Sequence, residues 1–153
     1  MAKKLSDHFT LEELILSQTA TRKGIDNTPP PQVVANLRKL AQALEQVREL
    51  LGGAPILVSS GYRSPALNKA VGGAKNSAHM LGLAADFTAP AYGTVLQVTR
   101  KVAASDIAYQ QVIHEFGAWV HLGLPPDDAA PQREKLSIFK GTGYLNGIVS
   151  MPA

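Results

Sequence analysis

The chain of 153 residues is 45% hydrophobic and 18% charged, a balance that excludes disorder and coiled coil and suits one globular domain around a single core. Its 15 basic and 12 acidic residues leave a net charge of +3 with no Lys/Arg run longer than Lys3-Lys4, so a nucleic-acid-binding face has nothing to build on. The absence of cysteine excludes disulfides, thiolate metal sites and thiol nucleophiles, and a metal would have to be held by Asp, Glu or the four histidines, His8, His79, His114 and His121.

The opening MAKKLSDHFT has two lysines but no apolar core of a secretion signal, and no stretch approaches the roughly 18 apolar residues of a membrane span. The expectation is a soluble product of the cytoplasm. Thr10 and Glu13 fit a capping box that starts a helix running to about Ser17, and the polar stretch QTATRKGIDN follows. Thr28 to Pro31 is a rigid break whose last proline suits a first helical turn. Val33, Leu37, Leu40, Leu44, Val47 and Leu51 then recur at three- and four-residue steps, which predicts an amphipathic helix ending at Gly52-Gly53 with its stripe in the core. Ile56 to Val58 read as a short buried strand closed by Ser-Ser-Gly, and Pro65 to Val71 as a short helix stopped by Gly72-Gly73. Helical spacing returns from Tyr92 to Ala104. The segment VIHEFGAWVHLGL has strand character, with Val120, Leu122 and Leu124 alternating against Trp119, His121 and Gly123. PPDDAAPQ reads as loop, EKLSIF as a strand, and KGTGYLNG as a turn with a closing strand. Helices early and strands late predict an α+β single domain over residues 1–153, with a small antiparallel sheet and flanking helices.

Asp86 is the residue that this reading leaves unexplained. It ends SAHMLGLAAD, a stretch with the composition of protein interior, and an unpaired buried charge costs several kcal/mol. Either Asp86 sits in water at the end of its element, or something positive holds it. His79, Asp86 and His121 together offer the two imidazoles and one carboxylate of a catalytic zinc with an open fourth position. The competing reading is that His121, on a strand with an apolar opposite face, is a satisfied core or edge residue.

SGYRSPALNKAVGGAKNSAHMLGLAADF resembles the motif region of the zinc D-Ala-D-Ala carboxypeptidase and endolysin family, peptidase family M15, with Ser77, His79, Gly82, Ala84 and Asp86 at the motif positions. EFGAWVHLG resembles the family's later segment that bears the third ligand, here His121, and HFTLEEL and SSGYRS resemble the compact phage and prophage members. The resemblance implies a hedgehog/DD-peptidase-like fold and Zn²⁺ held by His79, Asp86 and His121. It implies that Arg63 steadies the oxyanion of the scissile carbonyl and that Ser77 contacts the substrate backbone. Trp119, on the His121 face, is expected to contact substrate. Otherwise Arg63 would be a surface ion-pair arginine and Ser77 a turn cap.

The chain departs from the family at one position. Many members place the catalytic carboxylate three residues before the last histidine, where this chain has Ala118. Glu115, six residues before His121, is the nearest acid. An even spacing keeps it on the His121 face of a continuous strand, although Gly117 can break that strand. Glu115 is therefore expected to be the general base, against a reading as a rim carboxylate paired with a lysine; Asp106 and the Asp127-Asp128 loop are the next acids to consider. His114 has the opposite parity, and His8 reads as structural. Ser137 to Lys140 satisfy a Ser-x-x-Lys pattern, but neither Ser-Asp-Asn nor Lys-Thr-Gly accompanies it and the segment reads as strand.

The expected function is hydrolysis of a peptide bond in the peptidoglycan stem or cross-link by a monomeric phage or prophage endolysin, made without a signal peptide and released to the cell wall. Lys69, Lys75 and Arg133 stand in no recognisable carboxylate-binding pattern, which favours an endopeptidase, with L-Ala–D-Glu ahead of the D-Ala cross-link. The rivals are a D-Ala-D-Ala carboxypeptidase or dipeptidase that trims wall peptides, and a non-catalytic wall-binding or virion module that the Ala118 departure would suit.

Overall fold

Pro31 fixes the first turn of the longest helix, and the apolar stripe behind it dictates which side is buried. In the computed structural model, which describes residues 3–127 and 129–152, this helix runs Pro31–Leu50 as α3. Before it stand α1 (Leu11–Ile15) and α2 (Gln18–Lys23). After it come β1 (Leu57–Ser60), α4 (Pro65–Ala70), a 3-10 turn (Ala78–Leu81), β2 (Ala84–Thr88), α5 (Val95–Ala103), β3 (Gln111–Glu115), β4 (Trp119–Gly123), β5 (Glu134–Phe139) and β6 (Gly143–Asn146). The six strands form one sheet in the order β1-β2-β4-β3-β5-β6, the α+β arrangement expected.

Val33, Leu37, Leu40, Leu44, Val47 and Leu51 are all buried, as the periodicity requires. They join Ala85 and Phe87 of β2, Val112 of β3, Val120 and Leu122 of β4, and Val98 and Val102 of α5 in one cluster. Strand alternation therefore sends one face of the sheet into the core and leaves the other to build a site. Tyr109, fully buried beside them, donates its hydroxyl hydrogen to the Ala103 carbonyl at 2.7 Å.

Four local expectations are corrected. The stretch after Ser17 is helical: Ser17 Oγ accepts from Ala20 N at 3.1 Å, and Gly24, at φ +65°, closes α2 from the left-handed region. The first strand begins at Leu57, beyond the buried Ile56, and runs along the sheet edge with Leu57 half exposed. The sheet is mixed, because β3 and β5 pair in parallel while the other pairs are antiparallel. Finally, VIHEFGAWVHLGL is a hairpin rather than a continuous strand. Phe116 and Gly117, at φ +58° and +65°, turn β3 back into β4 and pair Glu115 with Trp119 and Ile113 with His121.

Gly82 ends the 3-10 turn at φ +72° and steers the chain into β2. A Cβ at this position would lie 2.8 Å from Val33 Cγ1 and 3.1 Å from Leu37 Cγ, so α3 itself sets the requirement for glycine. Gly52→Ala supplies the comparison, since Gly52 has a similar φ of +69° with nothing within 4 Å of the added Cβ. Gly82→Ala is expected to destabilise the fold by about 2–4 kcal/mol in urea unfolding, against about 1 kcal/mol for Gly52→Ala. Equal losses would show that α3 does not press on the turn.

Candidate metal centre and cleft

The sheet face turned away from the core carries the chemistry. The β2–β4 register sets Asp86 directly opposite His121, and the β1–β2 register sets Ser60 opposite Asp86. The hairpin adds Glu115 beside Trp119, diagonal to His121. His79 arrives from outside the sheet, on the 3-10 turn capped by Ser77, whose Oγ accepts from His79 N at 3.2 Å.

His79, Asp86 and His121 are each buried, and their ligand-type atoms lie within 4.8 Å of one another. Asp86 Oδ1 stands 2.9 Å from His121 Nδ1 and 3.3 Å from His79 Nε2. The Nδ1 atom of His79 is 2.7 Å from the Gly61 carbonyl, an acceptor that requires Nδ1 to carry a proton and turns Nε2 toward Asp86, where it can hydrogen-bond the carboxylate or give its lone pair to a metal. Two imidazole nitrogens and a carboxylate oxygen, converging in a buried pocket, match the donor chemistry and spacing of a zinc site. The residues fit the metal.

Burial opposes ionisation of Asp86, but hydrogen bonds from His121 and His79, together with their charges, outweigh it and hold the carboxyl well below the usual carboxylate range. Arg63 adds an ion pair, Nη2 to Asp86 Oδ2 at 3.5 Å. The guanidinium is oriented by Ser60 Oγ, which accepts from Nε at 3.1 Å, and by Asn68 Oδ1, which accepts from Nη1 at 3.3 Å. Gly73 is part of this fixture, since a Cβ there would strike Asn68 Oδ1. Arg63 is thus half-buried and positioned rather than a loose surface cation.

Glu115 Oε1 stands 3.8 Å from His121 Nδ1, while Oε2 accepts from Trp119 Nε1 at 3.0 Å. Burial and, next, the charge of Asp86 push its carboxyl above the usual range, with His121, the Trp119 hydrogen bond and Arg63 partly offsetting them. A carboxyl raised in this way beside a metal-type cluster holds a proton more readily than an ordinary glutamate, which suits a group that must both take up and return one. No lysine pairs with Glu115 among the described residues.

These groups line a cleft of about 810 Å³ that also includes Ser77, Phe116 and Tyr144. Phe116 packs its ring against Trp119 at 5.7 Å between centroids, which places an exposed Phe116 beside a half-buried Trp119 on the rim. A second lobe of about 540 Å³ shares Arg63, Val71, Asp86 and Trp119 with the first and continues toward α1 and α2. The structure thus gathers all seven candidate site residues in one cleft. Ser60, Asn68, the Gly61 carbonyl and Phe116 were missed by sequence reasoning, because their parts depend on cross-strand register and on loop closure that no local pattern encodes.

The remaining polar residues have other occupations. His8 Nδ1 pairs with Glu45 Oε1 at 2.7 Å, and His114, on the opposite face of β3, lies 2.9 Å from the Val149 carbonyl. Ser137 is fully buried and donates to the Gly147 carbonyl at 2.8 Å, which removes it as a nucleophile. Arg133 caps the carbonyls of Ile107 and Ser105 and stacks over Tyr109. Asp106 and Asp127 line neither lobe, and Asp128 lies outside the described residues.

Comparison with known proteins agrees with this geometry. A 50-residue segment, 33% of the chain, is 48% identical to the zinc D-Ala-D-Ala carboxypeptidase of Streptomyces albus G, and the match spans 20% of that relative's length. Residues 7–123 match the family described as Peptidase M15, a stretch that contains the cluster, Arg63, Glu115 and Trp119. The chain belongs to the Peptidase M15 family, whose zinc chemistry its His-Asp-His cluster is equipped to support.

Proposed function

We propose that the chain hydrolyses a peptide bond within the peptidoglycan stem or cross-link, as an endopeptidase of the lytic kind used by phages and prophages, acting at the wall after release from the cytoplasm. The observation that carries the reading is Glu115, a carboxylate with a raised pKa beside the His-Asp-His cluster, in a cleft that continues past the cluster into a second lobe. His79, Asp86 and His121 would hold the metal. Zinc bound there would supply Lewis acidity for the hydrolysis.

The chain's own residues account for the rest. Glu115 Oε1 takes a proton from the attacking water and returns it to the amine nitrogen as the C–N bond breaks. Trp119 holds Oε2, so Oε1 stays aimed at the reacting atoms. Arg63, fixed by Ser60 and Asn68, directs its guanidinium at the oxyanion that develops on the scissile carbonyl. Ser77 and the Phe116–Trp119 pair contact the peptide on either side. Ala118 at the family's usual acid position is no obstacle, because the hairpin brings Glu115 to the His121 face across the ladder.

A two-lobed cleft accommodates substrate on both sides of the bond, which supports internal cleavage, with L-Ala–D-Glu preferred over the D-Ala cross-link. The name of the Streptomyces relative favours trimming of D-Ala-D-Ala as the second reading.

Glu115→Gln is expected to leave thermal stability and bound zinc nearly intact while lowering turnover about 100-fold or more. Near wild-type turnover would move the proton transfer to another group. Digestion of purified sacculi, followed by mass spectrometry of new amino termini, identifies the bond. New D-Glu termini are expected; a new diaminopimelate amine points to the cross-link, and release of free D-Ala alone contradicts internal cleavage.

A further inference from the structure

A peptidoglycan stem peptide carries carboxylates, notably on its D-glutamyl residue and at its C-terminus, and a site that selects such a peptide gains most from a guanidinium placed to receive one. In the cleft lobe that holds the metal cluster, the guanidinium is Arg63, and it is already engaged by Ser60, Asn68 and Asp86. The second lobe contains another. Arg22, in the last turn of α2, lines it together with Ser17, Thr19, Ser59 and Ser60.

Arg22 is exposed and uncommitted. Among the described residues its side chain meets only Thr19 Oγ1, at 3.5 Å, and it forms no ion pair with a carboxylate. Its backbone is nonetheless fixed, because α2 is capped at both ends, by Ser17 and by Gly24. The lobe reaches the metal cluster through Arg63, Asp86 and Trp119, which line both halves of the cleft. A peptide lying across the cluster therefore extends one flank into a lobe that offers a planar, bidentate cation beside the Thr19 hydroxyl. Asp86, the carboxylate that lines this lobe, is already met by Arg63, His79 and His121, and Val58, Leu67 and Val71 are apolar and need no counter-charge.

We infer that Arg22 is a specificity-determining residue that receives a carboxylate of the substrate in the second lobe. The inference rests on the proposed peptidoglycan substrate and deepens it, since it names the chemical group by which the peptide is selected.

The test is binding rather than turnover. Zinc-loaded protein carrying Glu115→Gln, with and without Arg22→Ala, is titrated calorimetrically with synthetic stem peptides in two matched pairs. One pair differs by amidation of the D-glutamyl carboxylate, the other by amidation of the C-terminal carboxylate. With Arg22 intact, amidation in one pair is expected to weaken binding about tenfold, the magnitude of one charge-assisted interaction. Arg22→Ala is expected to abolish that difference without changing zinc content or melting temperature, and the pair that responds identifies which carboxylate is received. An amidation penalty that is the same with and without Arg22 in both pairs, or no binding of any peptide, overturns the inference. Sacculus digestion by the unsubstituted protein is read separately. Digestion with no Arg22 effect on binding removes this inference alone, and an Arg22-dependent preference without digestion removes the hydrolytic reading alone.

Discussion

Asp86 is buried on the second strand of a sheet whose far side is the hydrophobic core, and its neighbours hold its carboxyl well below the usual carboxylate range. An isolated carboxylate in that position would cost several kcal/mol or would take up a proton. Everything else on the cleft face answers that requirement. His121 is set against it by the β2–β4 register, His79 is brought over it by a 3-10 turn, and Arg63 meets its other oxygen. Three groups able to carry positive charge surround one negative charge, and the two imidazoles are arranged so that a cation can take the place of their protons. The same convergence that makes Asp86 tolerable gives it the surroundings a metal ligand needs.

The scaffold enforces that convergence with little latitude. Gly61 has no room for a side chain, because a Cβ would strike the Leu14 carbonyl, and its own carbonyl orients His79. Gly73 leaves space for Asn68, which in turn holds Arg63. The hairpin turn spends backbone strain at Phe116, a non-glycine residue in the left-handed region, and an aromatic ring is thereby placed against Trp119 at the rim. These are costs that packing of α3 against the sheet has to offset, and the fully buried Leu37, Leu40 and Leu44, each worth about 2–5 kcal/mol on truncation, are placed to do so.

Much of this was legible in the chain. The stripe from Val33 to Leu51 reads as a core helix because leucine and valine recur at helical spacing with glycine just beyond the end. A buried carboxylate that needs a partner, and a strand parity that puts His121 and Trp119 on one face, suggest His79, Asp86 and His121 together, but it is the resemblance to the M15 motif that singles them out as ligands. The hairpin was not legible, since its turn uses Phe116 where glycine or asparagine normally signals a positive φ. The correct face for Glu115 was reached by a parity argument on a strand that does not exist. Its true position follows from cross-strand pairing with Trp119. The parallel β3–β5 pair and the arrival of Arg22 beside the cleft depend on long-range chain closure, for which single-sequence patterns carry no signal.

The central claim is that the charge of Asp86 is shared with a bound metal through His79 and His121. Elemental analysis of purified, zinc-equilibrated and exhaustively dialysed protein tests it most directly, with His121→Ala as the probe and His8→Ala as the control. His8 pairs with Glu45, away from the cleft, so its loss leaves the cluster untouched. About one zinc per chain is expected in the unsubstituted protein and in His8→Ala, with most of it lost in His121→Ala. Full zinc retention by His121→Ala, or no zinc in the unsubstituted protein, would contradict the account.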